Sequence, residues 1–411
     1  MSGGVSLLSL LQSDLRSLCV ESRRSFPDLK EAAEAVGGKV NPLSENGLSE
    51  LQAGLDGAQD DAADSAAQFA LVIRPFIMAC ETKDSKLAMI AVGCLQKLIS
   101  QNAVPPGSLA GVLATLYGQS EKSAPKRQQS SSDESVQAKA LQTVLVLLAS
   151  SRYAITSKDI GQALSACFVH TGAGSNASPL VRNSAVATLR QAVGMLVERA
   201  GAESSAESSA DSADPADSAD SAAGCVYCLM RDLCKHARPG AKPSGQGGDP
   251  TWLVLHGAEQ QLLLELIEAA LVACPALYLR FTSMSLVLRT SLCPLVLAML
   301  SRPLAFQPLH RTLRITWRLV QNFTPLLRAE CTPMMHQLLR LLPRRVSDGT
   351  QAFPARFEHS APLWQRTLVM ELCCLVFSRH ELLRDWHSDE VHQSGTSGEN
   401  SRLSSVQCRG R

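Results

Sequence analysis

Residues Leu87, Ile90, Ala91, Cys94, Leu95 and Leu98 recur at i, i+3, i+4, i+7, i+8 and i+11. This is the period of one face of an α-helix, and it draws a single apolar stripe along about three turns. Asp84 and Ser85 stand where a short side-chain oxygen can accept an orphan N–H of the first turn. The polar residues Glu81, Thr82, Lys83 and Asp84 form a turn, and before it a second helix is predicted from about residue 65. Such a pair cannot bury its stripe unaided, so it requires neighbours of the same kind.

The rest of the chain supplies them. Helices are predicted over 5–25, from Pro27 to about 36, and over 47–58, 108–117, 135–150, 157–169 and Pro179–Ala200. Further helices are predicted over 225–235, 251–273, 276–288, 290–301, 307–323, 325–342, 361–378 and 380–386, with polar loops at 118–134, 238–249 and 343–360. No strand-type alternation of useful length occurs. The recurring unit is two helices in roughly 35–45 residues, the size of a HEAT or armadillo unit. The expected fold is therefore all-α, an armadillo/HEAT-like helical-repeat solenoid in two halves, 5–200 and 224–386. Between them residues 201–223 carry six acids, no base and a repeated Ala-Asp-Ser unit, so they read as a disordered acidic linker. Residues 387–411 read as a polar tail outside the fold.

Lys and Arg number 39 and Asp and Glu 38, so no global charge draws the chain to nucleic acid. Thirteen cysteines are scattered, many on apolar faces, which suits reduced thiols in the cytosol. Met1-Ser2-Gly3-Gly4 precedes an amphipathic segment rather than a secretory signal, and Ser2 stands where myristoylation requires glycine. The longest apolar runs contain Glu265 and Glu268, and then Arg289. Membrane association is accordingly expected to be peripheral.

The sharpest metal candidate is Cys225-x-x-Cys228 with Cys234 and His236, donors that suit tetrahedral zinc. On a helix, however, Cys225, Cys228 and Asp232 share a face while Cys234 points elsewhere, so buried helical cysteines are the expectation. Of Cys373 and Cys374, at least one is expected in the core. His170, His256 and His336 read as surface or satisfied polar positions. No GxSxG, HExxH, phosphate-cradling glycine loop or GxGxxG occurs, so no enzyme activity, catalytic residue, metal or cofactor is predicted. Ser130–Ser132 followed by Asp133-Glu134 reads as linker, or as an acidophilic phosphorylation site. A zinc or thiol enzyme is a further alternative, and it would need a reactive Cys225/Cys228 pair.

From Arg302 to Arg345 eight arginines face a single acid, Glu330. Arg311, Arg314 and Arg318 share one helix face, with Leu313, Trp317 and Val320 expected to pack inward on the other. An ordinary solvated face explains this spacing. So does contact with anionic lipid or an acidic partner, including the chain's own linker. Without aromatic interleaving, nucleic acid is not an expected partner.

Residues 13–35 (SDLRSLCVESRRSFPDLKEAAEA), 74–100, 141–150 and 183–200 resemble the N-terminal dimerisation-and-cyclophilin-binding (DCB) region of large Arf exchange factors and their relatives. The resemblance is closest to the Mon-two (monensin-sensitivity) proteins, through the opening helix and Phe26-Pro27-x-x-Lys30-Glu31-Ala32-Ala33-Glu34. In the second half MRDLCKHA (230–237), LELIEAAL (264–271) and LVLRTSLCPLVLAML (286–300) resemble the homology-upstream-of-Sec-seven (HUS) region. The resemblance implies a non-enzymatic peripheral scaffold of the trans-Golgi network and endosomes, working in vesicle trafficking and protein sorting. It also implies Dopey-like proteins, an Arf-like GTPase and an aminophospholipid flippase as partners, with self-association through the first half. No Sec-seven catalytic domain is recognised, so exchange activity is not carried over. The alternative is the regulatory N-terminal part of an Arf guanine-nucleotide exchange factor. On either reading the stripe at 87–98 is structural, and contacts fall to the outer face with Lys83, Lys86 and Lys97.

Overall fold

The computed structural model describes residues 7–40, 59–82, 84–104, 106–121, 131–150, 155–172, 175, 177–206, 221–240, 251–342 and 361–379. Among them the fold is all-α, and the only extended pairing is an isolated bridge between Gly172 and Ala258. Two compact units form, residues 1–232 with 242–262, and residues 233–241 with 263–411.

The first unit contains α1 (Leu7–Ser22), α2 (Pro27–Val40), α3 (Gln59–Glu81), α4 (Ser85–Ser100), α5 (Pro106–Glu121), α6 (Ser131–Ala149), α7 (Ser157–Val169) and α8 (Pro179–Ala206). It also takes the start of α9 (Ala222–Ala237). The helices lie in two rows: α1, α4, α6 and α8 touch in that order, and α2, α3, α5 and α7 in theirs. Across the rows α1 packs on α2, α3 on α4, α5 on α6 and α7 on α8. Each stripe is thus buried by a partner within its pair and by a neighbour in its row.

α4 shows why these residues form these elements. Asp84 is its N-cap and accepts from the N–H groups of Lys86 (2.8 Å) and Leu87 (3.3 Å). Leu87, Ala91, Cys94, Leu95 and Leu98 are buried, and Ile90 is half-buried. The helix ends in a Schellman arrangement. Asn102 adopts φ 54°, its N–H donates to the Ile99 carbonyl, and the Ala103 N–H donates to that of Leu98. The Ser150 hydroxyl at the end of α6 donates to the Asn102 side chain. α7 is capped by Thr156, which accepts from the Asp159 N–H.

Several boundaries differ from expectation. α2 runs through Gly37 and Gly38 to Val40, and α5 and α6 shorten the predicted 118–134 loop from both sides. α8 continues six residues into the acidic segment, because Ser204 and Ser205 donate back to the Gly201 carbonyl and Arg199 pairs with Glu203. The predicted helices at 47–58 and 380–386, Lys83, and the linker residues 207–220 lie outside the described residues.

The largest correction is at 251–259, expected as the first turns of a helix. Asp232 accepts the Leu253 N–H (2.9 Å) and the Ser165 hydroxyl accepts the Val254 N–H (3.0 Å), so side chains distant in sequence tie this backbone down. The Trp252 indole donates to the carbonyl and hydroxyl of Ser157, both at 3.0 Å, and lies directly over Gly161. Leu253 and Leu255 are buried while Val254 is exposed, an alternation of period two. The segment is a strap laid along α7. It is closed by the Gly172–Ala258 bridge, where a Cβ on Gly172 would sit 2.3 Å from the His256 carbonyl oxygen.

The second unit holds α10 (Gln260–Ala273) from Leu263, α11 (Pro275–Arg280), α12 (Thr282–Val287), a π-turn (Leu288–Leu292), α13 (Cys293–Leu300), α14 (Phe306–Leu341) and α15 (Leu363–Phe377). Its core includes Tyr278, edge-on to Phe323 at 5.9 Å, with Leu288, Val296, Ile315 and Leu319. The two helices expected on either side of Pro325 are the two stretches of α14, which meet at a kink at Leu327 (φ −112°, ψ 27°), where proline offers no N–H and crowds the preceding turn. Arg289, from the π-turn, donates to the Leu326 carbonyl beside that kink and pairs with Glu330. Buried Thr312, Thr316 and Thr324 donate to the carbonyls of Pro308, Thr312 and Val320, which satisfies their hydroxyls inside the core. Thr282–Leu300 is long and apolar enough to cross a membrane by length and composition, and 56% of its most apolar stretch is buried inside the protein.

Candidate interaction surface

The arginine face singled out above lies on α14. Glu265 and Glu268 are three residues apart on α10, and Arg311 and Arg314 are three apart on α14, so each pair presents one side. Arg311 donates to Glu268 Oε2 at 3.0 Å and stands 3.5 Å from Glu265 Oε2. Arg314 forms an ion pair with Glu268 Oε1 that lacks hydrogen-bond geometry. The Glu268 side chain is only 5% exposed and that of Arg311 22% exposed, whereas Arg314 is half-exposed at 49%. The charges therefore balance two against two. The count along the sequence, with Glu330 as sole acid, missed both carboxylates because they arrive from a helix some forty residues upstream.

Such a cluster chiefly sets register. Desolvation offsets much of its Coulomb attraction, but removing one member leaves a buried charge without its partner. Arg318, half-buried, donates to Gln321 at 3.3 Å on its own helix. Leu313 and Val320 are buried as expected, but Trp317 is only half-buried, and the Arg379 guanidinium lies 5.5 Å from its ring centre.

Cys225 and Cys234 are buried and Cys228 half-buried. Burial pushes the Cys234 thiol up to about 12 and raises that of Cys228, so both stay protonated at neutral pH. Asp232 is spent on the Leu253 N–H and Arg231. No group of three or more His, Cys, Asp or Glu is gathered as a ligand set among the described residues. Cys373 is buried and Cys374 exposed.

His256 and His336 are exposed, but His170 is a correction. It is fully buried at the end of α7 with neither ring nitrogen hydrogen-bonded, and desolvation lowers its pKa to about 4. The ring is neutral at pH 7. No local sequence signal marks it, since its burial comes from packing rather than from the helix period.

In the first unit, Lys97 is not free for an outside contact: its amine pairs with Asp14 of α1 at 2.9 Å. Lys86 is exposed. Between α1 and α4 runs a shallow open groove whose rim includes Arg16, Val20, Glu21 and Ile90, with Val20 71% exposed.

Comparison with known proteins places two domains on the chain. Residues 3–204 match the Mon2/Sec7/BIG1-like dimerisation and cyclophilin-binding domain, and residues 222–389 match the Mon2/Sec7/BIG1-like HUS domain. Protein MON2 homolog of Xenopus laevis is 26% identical over 420 residues, covering 95% of this chain and 22% of the relative. Protein MON2 homolog of Homo sapiens has the same identity and coverage. That of Drosophila melanogaster is 24% identical over 405 residues, covering 91% of the chain and 21% of the relative. The chain thus spans about a fifth of the length of these relatives.

Proposed function

We propose that this chain, which belongs to the Mon2/Sec7/BIG1-like family, is a non-enzymatic peripheral scaffold of Golgi–endosome vesicle trafficking and protein sorting. One observation carries the reading: a DCB match and a HUS match follow one another in family order and together span most of the chain. The scaffold is an armadillo/HEAT-like solenoid in two parts, 5–200 and 224–386, joined by the acidic segment 201–223. The two-row neighbour pattern of α1–α8 supports the repeat arrangement.

In this reading the first part self-associates, and the outer helix faces receive a Dopey-like protein, an Arf-like GTPase and a flippase at trans-Golgi and endosome membranes. The basic contact assigned to Arg311, Arg314 and Arg318 falls mainly on Arg314 and Arg318, because Arg311 is held between two carboxylates. The test is localisation and affinity capture of the tagged full chain. Co-localisation with trans-Golgi markers and recovery of a Dopey-like protein support the scaffold. A diffuse distribution with neither result refutes it.

The shared Sec7/BIG1-like description of both domains favours a second reading, the regulatory N-terminal part of an Arf exchange factor. Sequencing the transcript past residue 386 separates the two, since only the second predicts a downstream Sec-seven coding region.

A further inference from the structure

The first turns of α14 and α15 meet at one corner of the second unit. There Phe306 is 48%, Leu363 72% and Trp364 37% exposed. The Phe306 ring lies 5.5 Å from that of Trp364 and stacks on His310 at 5.9 Å. The corner is therefore a raised aromatic and aliphatic knob, with large apolar side chains turned outward rather than into the core.

Along the chain, the segments that flank it are rich in arginine. Residues 301–329 and 361–370 contain Arg302, Arg311, Arg314, Arg318, Arg328 and Arg366 and no acid. The carboxylates that folding brings near are engaged: Glu265 and Glu268 face Arg311 and Arg314, and Glu330 faces Arg289. Glu371 is the first acid along α15, about two turns beyond Trp364. Phe306, His310, Arg314 and Arg318 are four apart and form one ridge of α14, so the apolar knob passes directly into a cationic row.

We propose that Phe306, Leu363 and Trp364 insert into the boundary between headgroups and acyl chains of an anionic bilayer, with Arg302 and Arg314 on the lipid phosphates. Trp and Phe rings favour that depth, and arginine stems can lie along apolar surface while their guanidinium heads reach phosphate. An anionic leaflet satisfies the apolar knob together with exposed Arg302 and the half-exposed Arg314, whose ion pair with Glu268 lacks hydrogen-bond geometry. This rests on the peripheral reading above and names the surface that touches the membrane.

The experiment is co-sedimentation of the full 411-residue chain with phosphatidylcholine vesicles, with and without phosphatidylserine. An arginine near an anionic leaflet contributes about fivefold, and Arg314 is shared with Glu268, so exposed Arg302 sets a preference of at least about fivefold for the phosphatidylserine vesicles. The triple variant Phe306→Ser, Leu363→Ser, Trp364→Ser loses binding by at least about tenfold while keeping its thermal unfolding, whereas Trp364→Phe retains binding. If the triple variant binds like the parent, the knob is refuted and the peripheral reading stands. If the parent binds neither vesicle, the knob is refuted, while the scaffold reading is judged separately by localisation and partner capture. If the parent self-associates without lipid and the triple variant does not, the corner is instead a contact between chains.

Discussion

Glu268→Gln tests whether the carboxylate–guanidinium cluster organises the second unit. The substitution keeps the shape of the side chain and removes the charge of a carboxylate that is 5% exposed. Arg311 is then left with Glu265 alone, at 3.5 Å, and Arg314 turns to water. Breaking a fully buried pair costs about 3–5 kcal/mol; the partial exposure of Arg311 and the remaining Glu265 reduce that to about 2–3 kcal/mol. At about 2–4 °C per kcal/mol for a unit of this size, the melting transition of the second unit falls by about 4–12 °C. Differential scanning calorimetry measures the shift, and hydrogen exchange over 260–273 assigns it, because a chain of two units need not unfold in one step. Glu268→Leu combined with Arg311→Met and Arg314→Leu, which removes the opposed charges together, restores most of the loss. A shift below about 1 °C for Glu268→Gln refutes the reasoning, because the pair would then be no stronger than an exposed one.

Gly172→Ala places a methyl 2.3 Å from the His256 carbonyl oxygen, so residues 251–258 lose protection from hydrogen exchange while α4 keeps its own. Asp84→Ala removes the cap of α4 and lowers the stability of the first unit by about 1 kcal/mol, read as a lower melting temperature; Asp84→Ser retains most of it. His170 has a folded pKa of about 4 against 6.5 unfolded, so the unfolded chain binds the extra proton. Stability from this group is complete above pH 6.5 and is lost as pH falls toward 4, by about 3 kcal/mol in all. His170→Leu flattens the melting-temperature profile across that window. Cys167 and Cys234 are raised to about 12 from 9.0, so their contribution runs the other way. It is complete below pH 9 and is lost as pH rises toward 12, a loss that Cys167→Ala and Cys234→Ala remove at the expense of packing.

Where the physics is local, the sequence alone was sufficient. The stripe from Leu87 to Leu98, the Asp84 cap, the entry of α2 at Pro27 and the break near Pro325 all follow from interactions within a few residues of chain. All-α character and family resemblance rest on the same local patterns, repeated along the chain. Boundaries slipped where a side chain rescued a turn, as the back-bonding serines did beyond Ala200. Tertiary structure alone decided the rest, because the deciding partner lies far off in sequence. Asp232 and Ser165 tie Leu253 and Val254 into a strap instead of a first helical turn. Glu265 and Glu268 claim Arg311 and Arg314, Asp14 claims Lys97, and packing buries His170 without a partner. Helical period tells which face of a helix is apolar; only the packed neighbours determine which charges on the other face remain available to a membrane or a protein.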